Sequence, residues 1–382
     1  MGFHEFSSPY DWSRIAAYKR TAKAAFGGMI DLSVGSPVDP VPDSVRKALA
    51  AAANDPNAYG YPATAGTADL RAAIAEWFSA TRNVDLQAIH ADVVPTVGSK
   101  EGVALMASLL HFGEDDVVVQ PKVSYPTYEI GTQLAGAQVL KVDDVADVAS
   151  WRNVPGVKAV WVNSPCNPTG EVYSAERMAG IVAAAREIGA VVLSDECYAL
   201  MQWRGATNSA DDDPLQSTPC ALRSDVCAGS AEGVLVLYSL SKQSNMAGYR
   251  TAFIAGDESL IASMSAYRKQ IGQIIPGPVQ AAMAAGLRDL ESVKAQHARY
   301  RERLGVLVSA LRAYGYCTDM PDGALYVWVR AKSGDCWTDM EQLAKIGIIA
   351  SPGEFYGAPE CLRFSATASD EAIASAAERL AR

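Results

Sequence analysis

The sequence predicts an α/β protein: a mostly parallel central sheet sandwiched by helices, with a smaller α+β domain attached. Three observations carry that prediction. Short β-rich runs alternate with helical patterns through the middle of the chain. One strand–helix–strand unit, from Val157 to Ser194, is explicit. A chain of 382 residues is also long enough for one large core and a second, smaller one. There is no internal repeat and no heptad run.

The candidate strands, in order, are Asp92–Thr96, Asp116–Gln120, Gln138–Val142, Val157–Asn163, Ala190–Ser194 and Val234–Tyr238. Between the fourth and fifth lies SAERMAGIVAAAREIGA. Ser174 is its N-cap, apolar residues recur at helical spacing, and Gly189 is a natural stop. Arg204–Gly233, rich in Asp, Ser, Ala and Gly, reads as a surface excursion. After Pro276 a helical pattern runs to about Tyr314. That is too long for one compact layer, so it bridges into a second domain or is kinked. ALYVWVR then reads as a strand, and SDEAIASAAERL as a closing helix capped by Ser369. The expected larger domain covers 41–280, and the smaller combines 1–40 with 281–382.

Composition narrows the function. The chain is 49% hydrophobic and 20% charged, with a formal net charge of −10. That charge speaks against nucleic acid or an anionic membrane as partner. An acidic protein binds anionic substrates by placing a few cations locally, so pocket arginines matter. Seven cysteines without a CxxC pair and four scattered histidines argue against a metal site and for reduced thiols in the cytoplasm. The first residues, MGFHEFSSPYDWSRIAAYKR, lack an apolar core, and no run approaches 18 apolar residues. Neither a signal peptide nor a membrane span is expected.

The most informative stretch is YSLSKQSNMAGYR, Tyr238–Arg250. Lys242 lies just past a buried strand, with hydroxyls at Ser239 and Ser241 and an arginine eight residues on. Such an amine can form a Schiff base, and a neighbouring serine and arginine can bind phosphate. VNSPCNPTG (Val162–Gly170) and SDECY (Ser194–Tyr198) end neighbouring strands, at the carboxyl edge where open α/β sheets bind ligands. Asp195 follows an apolar run, so its carboxylate sits near a buried strand end and needs a cationic partner. Gly98–Glu101 follows a strand and opens a helix, a natural anion site. Tyr125, in SYPTY, can stack on an aromatic ring. Each segment alone has an ordinary structural reading: a solvated lysine, a turn, a helix start, packing. Their register at adjacent strand ends is what weakens those readings.

The ordered set YGYPATAG, VGSKEG, SYPTY, NPTG, SDECY, SLSK and GYR resembles the class I/II aminotransferases of fold type I, which depend on pyridoxal 5′-phosphate (PLP), along nearly the whole chain. The resemblance implies that Lys242 carries the cofactor and that Asp195 pairs with its pyridine nitrogen. It implies that Asn167 and Tyr198 hydrogen-bond the ring oxygen and that Tyr125 stacks on the ring. Ser99, Lys100, Ser239 and Arg250 are expected around the phosphate, with Tyr61 reaching it from a neighbouring subunit, so that a homodimer shares its active sites. Arg363, in CLRFS, matches the arginine that clamps the substrate α-carboxylate, and Gly35 and Asn167 lie with it in the substrate site. Lys242, Asp195 and Tyr198 are the catalytic group. The substrates implied are an amino acid donor and a 2-oxo acid, 2-oxoglutarate.

A narrower resemblance, through DLSVGSPVDPVP, GYPATAGTADLRAAI, SLSKQSNMAGYR and PGPVQAAMAAGL, is to actinobacterial-type succinyldiaminopimelate aminotransferases of lysine biosynthesis. Other donors (aspartate, acetylornithine, aromatic amino acids) and a PLP-dependent lyase on the same fold remain as alternatives. The absence of G-x-G-x-x-G disfavours a nicotinamide dehydrogenase.

Overall fold

The computed structural model describes residues 11–56, 58–203, 215 and 218–382. The strands are β1 (Ile30–Asp31), β2 (Ala91–Val97), β3 (Val117–Pro121), β4 (Gln138–Val142), β5 (Val157–Asn163) and β6 (Val191–Asp195). They continue with β7 (Val234–Ser239), β8 (Thr251–Asp257), β9 (Tyr326–Arg330), β10 (Ile348–Ile349), β11 (Ser351–Pro352) and β12 (Cys361–Ser365). The chain divides into two compact units: a larger one of Ser36–Arg301 with Pro321–Ala324, and a smaller one of Met1–Gly35, Glu302–Met320 and Leu325–Arg382.

The larger unit is built on a seven-stranded sheet in the order β2-β8-β7-β6-β5-β3-β4. Only β8 runs against the others, antiparallel to β2 and β7. The central strands are apolar almost continuously because both faces are covered. Alternation divides their side chains between two cores. Val118, Trp161, Leu193, Leu235, Leu237 and Ile254 face one, with Val103, Met106 and Met264. Val119, Val160, Val192, Val234, Val236 and Phe253 face the other, with Trp77, Phe78, Ile181 and Met283.

In the smaller unit, β1 pairs with β10 in parallel, and β11-β12-β9 form an antiparallel sheet. Helices Ile15–Ala24, Cys336–Lys345 and Asp370–Leu380 complete it. Ser369 caps the last of these by accepting from Ala372 N.

The six expected central strands are present, each displaced by no more than a residue or two at its ends. The helix between β5 and β6, Ala175–Glu187, is capped by Ser174, which accepts from Arg177 N. The long helical pattern is interrupted, as expected: it forms two helices, Gly277–Arg288 and Leu290–Ala313, and the second continues from the larger unit's residues into the smaller unit's. Asp289 leaves helical geometry (φ −85°, ψ 65°) and its carboxylate accepts from Ser292 N (3.1 Å) and Ser292 Oγ (2.9 Å), capping the second helix. Residues 36–40, 281–301 and 321–324, expected in the smaller domain, lie in the larger unit, where Gly277–Arg288 packs on helices Asp43–Ala52 and Ala68–Arg82.

The expected surface excursion falls partly outside the described residues, over 204–214 and 216–217. Its described part is no excursion: Cys220, Ala221, Leu222, Val226, Cys227 and Ala231 are buried. Small apolar residues fill the core here while the local composition reads as loop. Arg186 also ties this segment down, donating to the carbonyls of Cys227, Ser230 and Glu232.

A fully buried ion pair fixes the chain just beyond β6. Arg82 Nη2 meets Glu196 Oε2 at 3.0 Å and donates to Pro219 O at 2.8 Å, while Nη1 donates to Thr218 Oγ1. The other oxygen of Glu196 accepts from Ala221 N (2.8 Å) and Ser194 Oγ (3.0 Å). Such a pair adds little net stability against apolar packing, but breaking it strands a buried charge. It therefore holds the turn after Asp195 in one geometry.

Candidate active site

Register brings the expected residues of the larger unit to one sheet edge. Asn163 pairs with Asp195, Asp195 with Leu237, and Ser239 with Ala252, so the ends of β5, β6 and β7 meet the start of β8. Val97, which ends β2, pairs with Thr251 on the far side of β8.

Asp195 is buried, 6% exposed. Tyr128 Oη donates to its Oδ2 at 2.8 Å, and Cys197 N donates to Oδ1 at 3.1 Å. Burial raises the Asp195 pKa from its ordinary value against these hydrogen bonds, because desolvation penalises the charged form. The site thus suits a cation opposite Asp195.

Tyr128 escaped the sequence reading. SYPTY holds two tyrosines, and its motif points to Tyr125. Tyr128 is fully buried, stacks on Trp161 (4.4 Å, 16°), and meets Tyr125 edge to face (5.6 Å, 81°). The signal was the i, i+3 spacing of the pair, which sets both rings on one side of the turn.

Asn163, also overlooked, braces the NPTG turn. Its Oδ1 accepts from Asn167 N at 2.8 Å, and its Nδ2 donates to Asp195 O at 2.9 Å. Asn167 and Tyr198 are both buried at this edge. The Cys197 thiol is pushed well above its ordinary range, first by burial and then by Asp195. Hydrogen bonds join it to Ser99 and Asp195, and the Lys242 charge acts on it in the opposite sense. Ser99, Asp195 and Lys242 therefore all act on one thiol.

Lys242 lies half-buried on the short helix Leu240–Gln243, immediately after β7. Ser239 caps that helix, accepting from Ser241 N at 3.1 Å, and its Oγ lies 2.8 Å from Ser241 Oγ. Facing it across β8 is helix Ser99–Leu109, whose N-cap Gly98 (φ 79°) has no side chain to satisfy the first N–H groups. Gly98 is also the one residue type that leaves space for Arg250, whose guanidinium occupies the place of a Cβ there. Arg250 adopts a left-handed backbone (φ 57°) and donates from Nη1 to Ala247 O at 2.7 Å. Glu101 locks the helix start: Arg268 binds both its oxygens (2.8 and 3.1 Å) and Val97 N donates to it at 3.1 Å. Free helix N–H groups, a positive helix end and an exposed arginine together suit a phosphate. Lys100 is exposed on the first helical turn.

In the smaller unit Arg363 is 5% exposed in the middle of β12, and its Nη2 donates to Ser33 O at 2.8 Å. Gly35 lies two residues after that carbonyl. Tyr61, in the larger unit, is fully exposed.

A profile of the aminotransferase class I and II family matches residues 27–380. The chain belongs to that family. It is 40% identical to the 4-dedimethylamino-4-oxo-anhydrotetracycline transaminase OxyQ of Streptomyces rimosus, over 97% of this chain and 98% of OxyQ. A probable aminotransferase of Mycobacterium tuberculosis is also 40% identical, over 97% of this chain and 84% of the relative. Among solved structures, a probable N-succinyldiaminopimelate aminotransferase from Thermus thermophilus superposes with a TM-score of 0.83 at 27% identity. That match covers 97% of this chain and 99% of the other. The aminotransferase works with PLP, and its substrates are amino acids and oxo acids. Its donor set fits the cofactor: a buried carboxylate for a pyridinium, a glycine-lined helix start with an arginine for a phosphate, and an amine at Lys242 for a carbonyl. Among the described residues no cluster of His, Cys, Asp and Glu is arranged to hold a metal, and no helix is long and apolar enough to cross a membrane.

Asp195→Asn tests the electrostatics. A carboxyl whose folded pKa is raised stabilises the fold below its unfolded pKa, and that contribution is lost as pH rises through the folded pKa. Removing the charge should therefore raise the melting temperature of the cofactor-free aminotransferase near pH 8, with the advantage shrinking toward pH 4, while turnover falls by orders of magnitude. Tyr128→Phe is the milder companion. A lost hydrogen bond to a charged group is worth about 1.5–3 kcal/mol, so activity should fall roughly ten- to a hundredfold and the acid limb of the pH–rate profile should move to higher pH. Unchanged melting and turnover in Asp195→Asn would count against the role of its charge.

Proposed function

We propose that this aminotransferase takes its amino group from succinyldiaminopimelate and delivers it to 2-oxoglutarate, as a step of lysine biosynthesis. The observation that carries this reading is the near full-length likeness to the Thermus thermophilus protein named for that donor, together with the SLSKQSNMAGYR segment. A second reading, favoured by the 40% identity to OxyQ, replaces the acceptor with a bulky polycyclic ketone.

In both readings the residues act alike. Lys242 holds the cofactor through its amine. Asp195, oriented by Tyr128 and Cys197 N, keeps the pyridine nitrogen charged. Asn167 and Tyr198 hydrogen-bond the ring oxygen, and Tyr125 covers a ring face. Ser99, Lys100, Ser239 and Arg250 hold the phosphate. PLP supplies an electron sink that acidifies the substrate Cα–H. Lys242 Nζ, once released, would carry that proton from the substrate Cα to the cofactor carbon that bears the amino group. Arg363 and the backbone at Gly35 bind the α-carboxylate. Tyr61 serves the phosphate of a second copy in a homodimer, a reading supported by its full exposure. Each of the seven cysteines is a free thiol, which supports a cytoplasmic setting.

Borohydride reduction should fix the cofactor to the peptide holding Lys242; labelling of another lysine removes that assignment. Tyr61→Phe should weaken cofactor retention without unfolding, and full activity from a monomer in sedimentation would dismiss the shared site. For the substrate, the α-amino acid head is common to all donors, so discrimination must arise at the remote carboxylates, which are costly to bury without donors. Succinyldiaminopimelate is expected to exceed aspartate in kcat/KM by about a hundredfold, or about 2.7 kcal/mol of transition-state binding. Competition assays that measure the oxo acid formed from each donor decide this. Equal use of aspartate, acetylornithine or an aromatic amino acid removes the lysine-pathway reading and leaves the aminotransferase intact.

A further inference from the structure

We propose that Tyr326 and Tyr356 are positioning residues that fix the guanidinium of Arg363 for an α-carboxylate, and so set affinity for every amino donor while leaving the chemical step untouched. The inference rests on the reading of Arg363 as the carboxylate-binding arginine.

Arg363 sits on β12, the middle strand of the smaller unit's antiparallel sheet, opposite Ser351 on β11 and Trp328 on β9. Its guanidinium carbon stands over the Tyr326 ring, 3.9 Å from the centroid, and over the Tyr356 ring at 4.7 Å. A cation against a ring face is attracted by the ring quadrupole, more strongly where water is excluded. The Ser33 carbonyl accepts from Nη2 at 2.8 Å. Two ring faces and one carbonyl thus hold a planar group whose use depends on orientation. A guanidinium binds a carboxylate best through two parallel N–H bonds, and such a fork tolerates only small rotations. An arginine freed from its walls loses rotamer entropy each time it binds.

Both rings are themselves held. The Tyr356 hydroxyl lies 3.2 Å from Ser351 Oγ, and its ring meets Trp328 edge to face (5.9 Å, 90°). The turn Gly353–Tyr356 is tied down through Glu354, which accepts from Trp337 Nε1 (2.6 Å) and Arg14 Nη1 (2.7 Å). The Tyr326 hydroxyl fills the space that a Cβ on residue 35 would occupy. Glycine at position 35 is thereby explained: any larger residue displaces the ring that holds the arginine. Gly35, singled out from LSVGSP, and Arg363, from CLRFS, are linked by a tyrosine that neither motif contains.

The test uses the cofactor-loaded enzyme with two readouts. One is KM and kcat for several donors. The other is the calorimetric Kd of α-methylglutamate, which carries the carboxylate but has no Cα proton to lose. Tyr326→Leu and Tyr356→Leu should each raise KM and Kd about tenfold, about 1.4 kcal/mol, with kcat within about twofold of wild type. Tyr326→Phe and Tyr356→Phe keep the ring faces and should stay within about threefold. In an Arg363→Ala background the leucine substitutions should add nothing, whereas general loosening of the unit would still weaken binding there. Wild-type Kd in both leucine variants, or equal weakening with Arg363 absent, overturns the proposal. An unchanged Kd in Arg363→Ala overturns the assignment of Arg363 instead. Should Tyr326→Leu fail to fold, the Tyr356 variants decide alone.

Discussion

A carboxylate buried at the end of a strand constrains the larger unit more than any other group. Asp195 is cut off from water, and the hydrogen bonds from Tyr128 and Cys197 N do not cancel the cost of its charge. A buried acid left this way destabilises the fold at neutral pH unless a cation faces it. The arrangement around it is a set of solutions to that problem: Trp161 stacks on Tyr128 to aim its hydroxyl, and Asn163 holds the Asp195 carbonyl. Stability is surrendered locally, and what is gained is a preformed negative field suited to a cation.

The buried Arg82–Glu196 pair performs the complementary task. It carries no chemistry, yet it joins the Ala68–Arg82 helix, the turn after β6 and the segment beginning at Thr218. With Glu196 fixed, its neighbour Asp195 cannot drift. Rigidity ends at the other side of the same sheet edge. Arg250 and Lys100 are exposed, and that side is held by backbone geometry, with Gly98 and the left-handed Arg250 fitted together. A buried, fixed acid and a solvated, cationic helix start at one sheet edge suit a molecule with a flat cationic end and an anionic end.

Strand periodicity, the helix after NPTG with its Ser174 cap, and the strand-end motifs were legible in the sequence because they depend on local rules: alternation, capping and turn chemistry. The same rules placed Asp195, Asn167, Lys242 and Ser239 at one edge, since parallel strands all end there. Where the chain breaks a local rule, the reading failed. The small residues after Thr218 are buried despite a loop-like composition.

Tertiary structure alone decided which tyrosine serves Asp195, what Glu101 and Glu196 anchor to, and why residue 35 is glycine. Tyr128 and Asp195 are 67 residues apart, Arg82 and Glu196 114, and Ser33 and Arg363 330. No periodicity or motif spacing encodes such a pairing. It follows from sheet order and from the packing of side chains that are chemically interchangeable until they are placed. The sequence by itself determined the fold class, the residues able to do chemistry and the edge where they gather, and the fold supplied the neighbours that orient them.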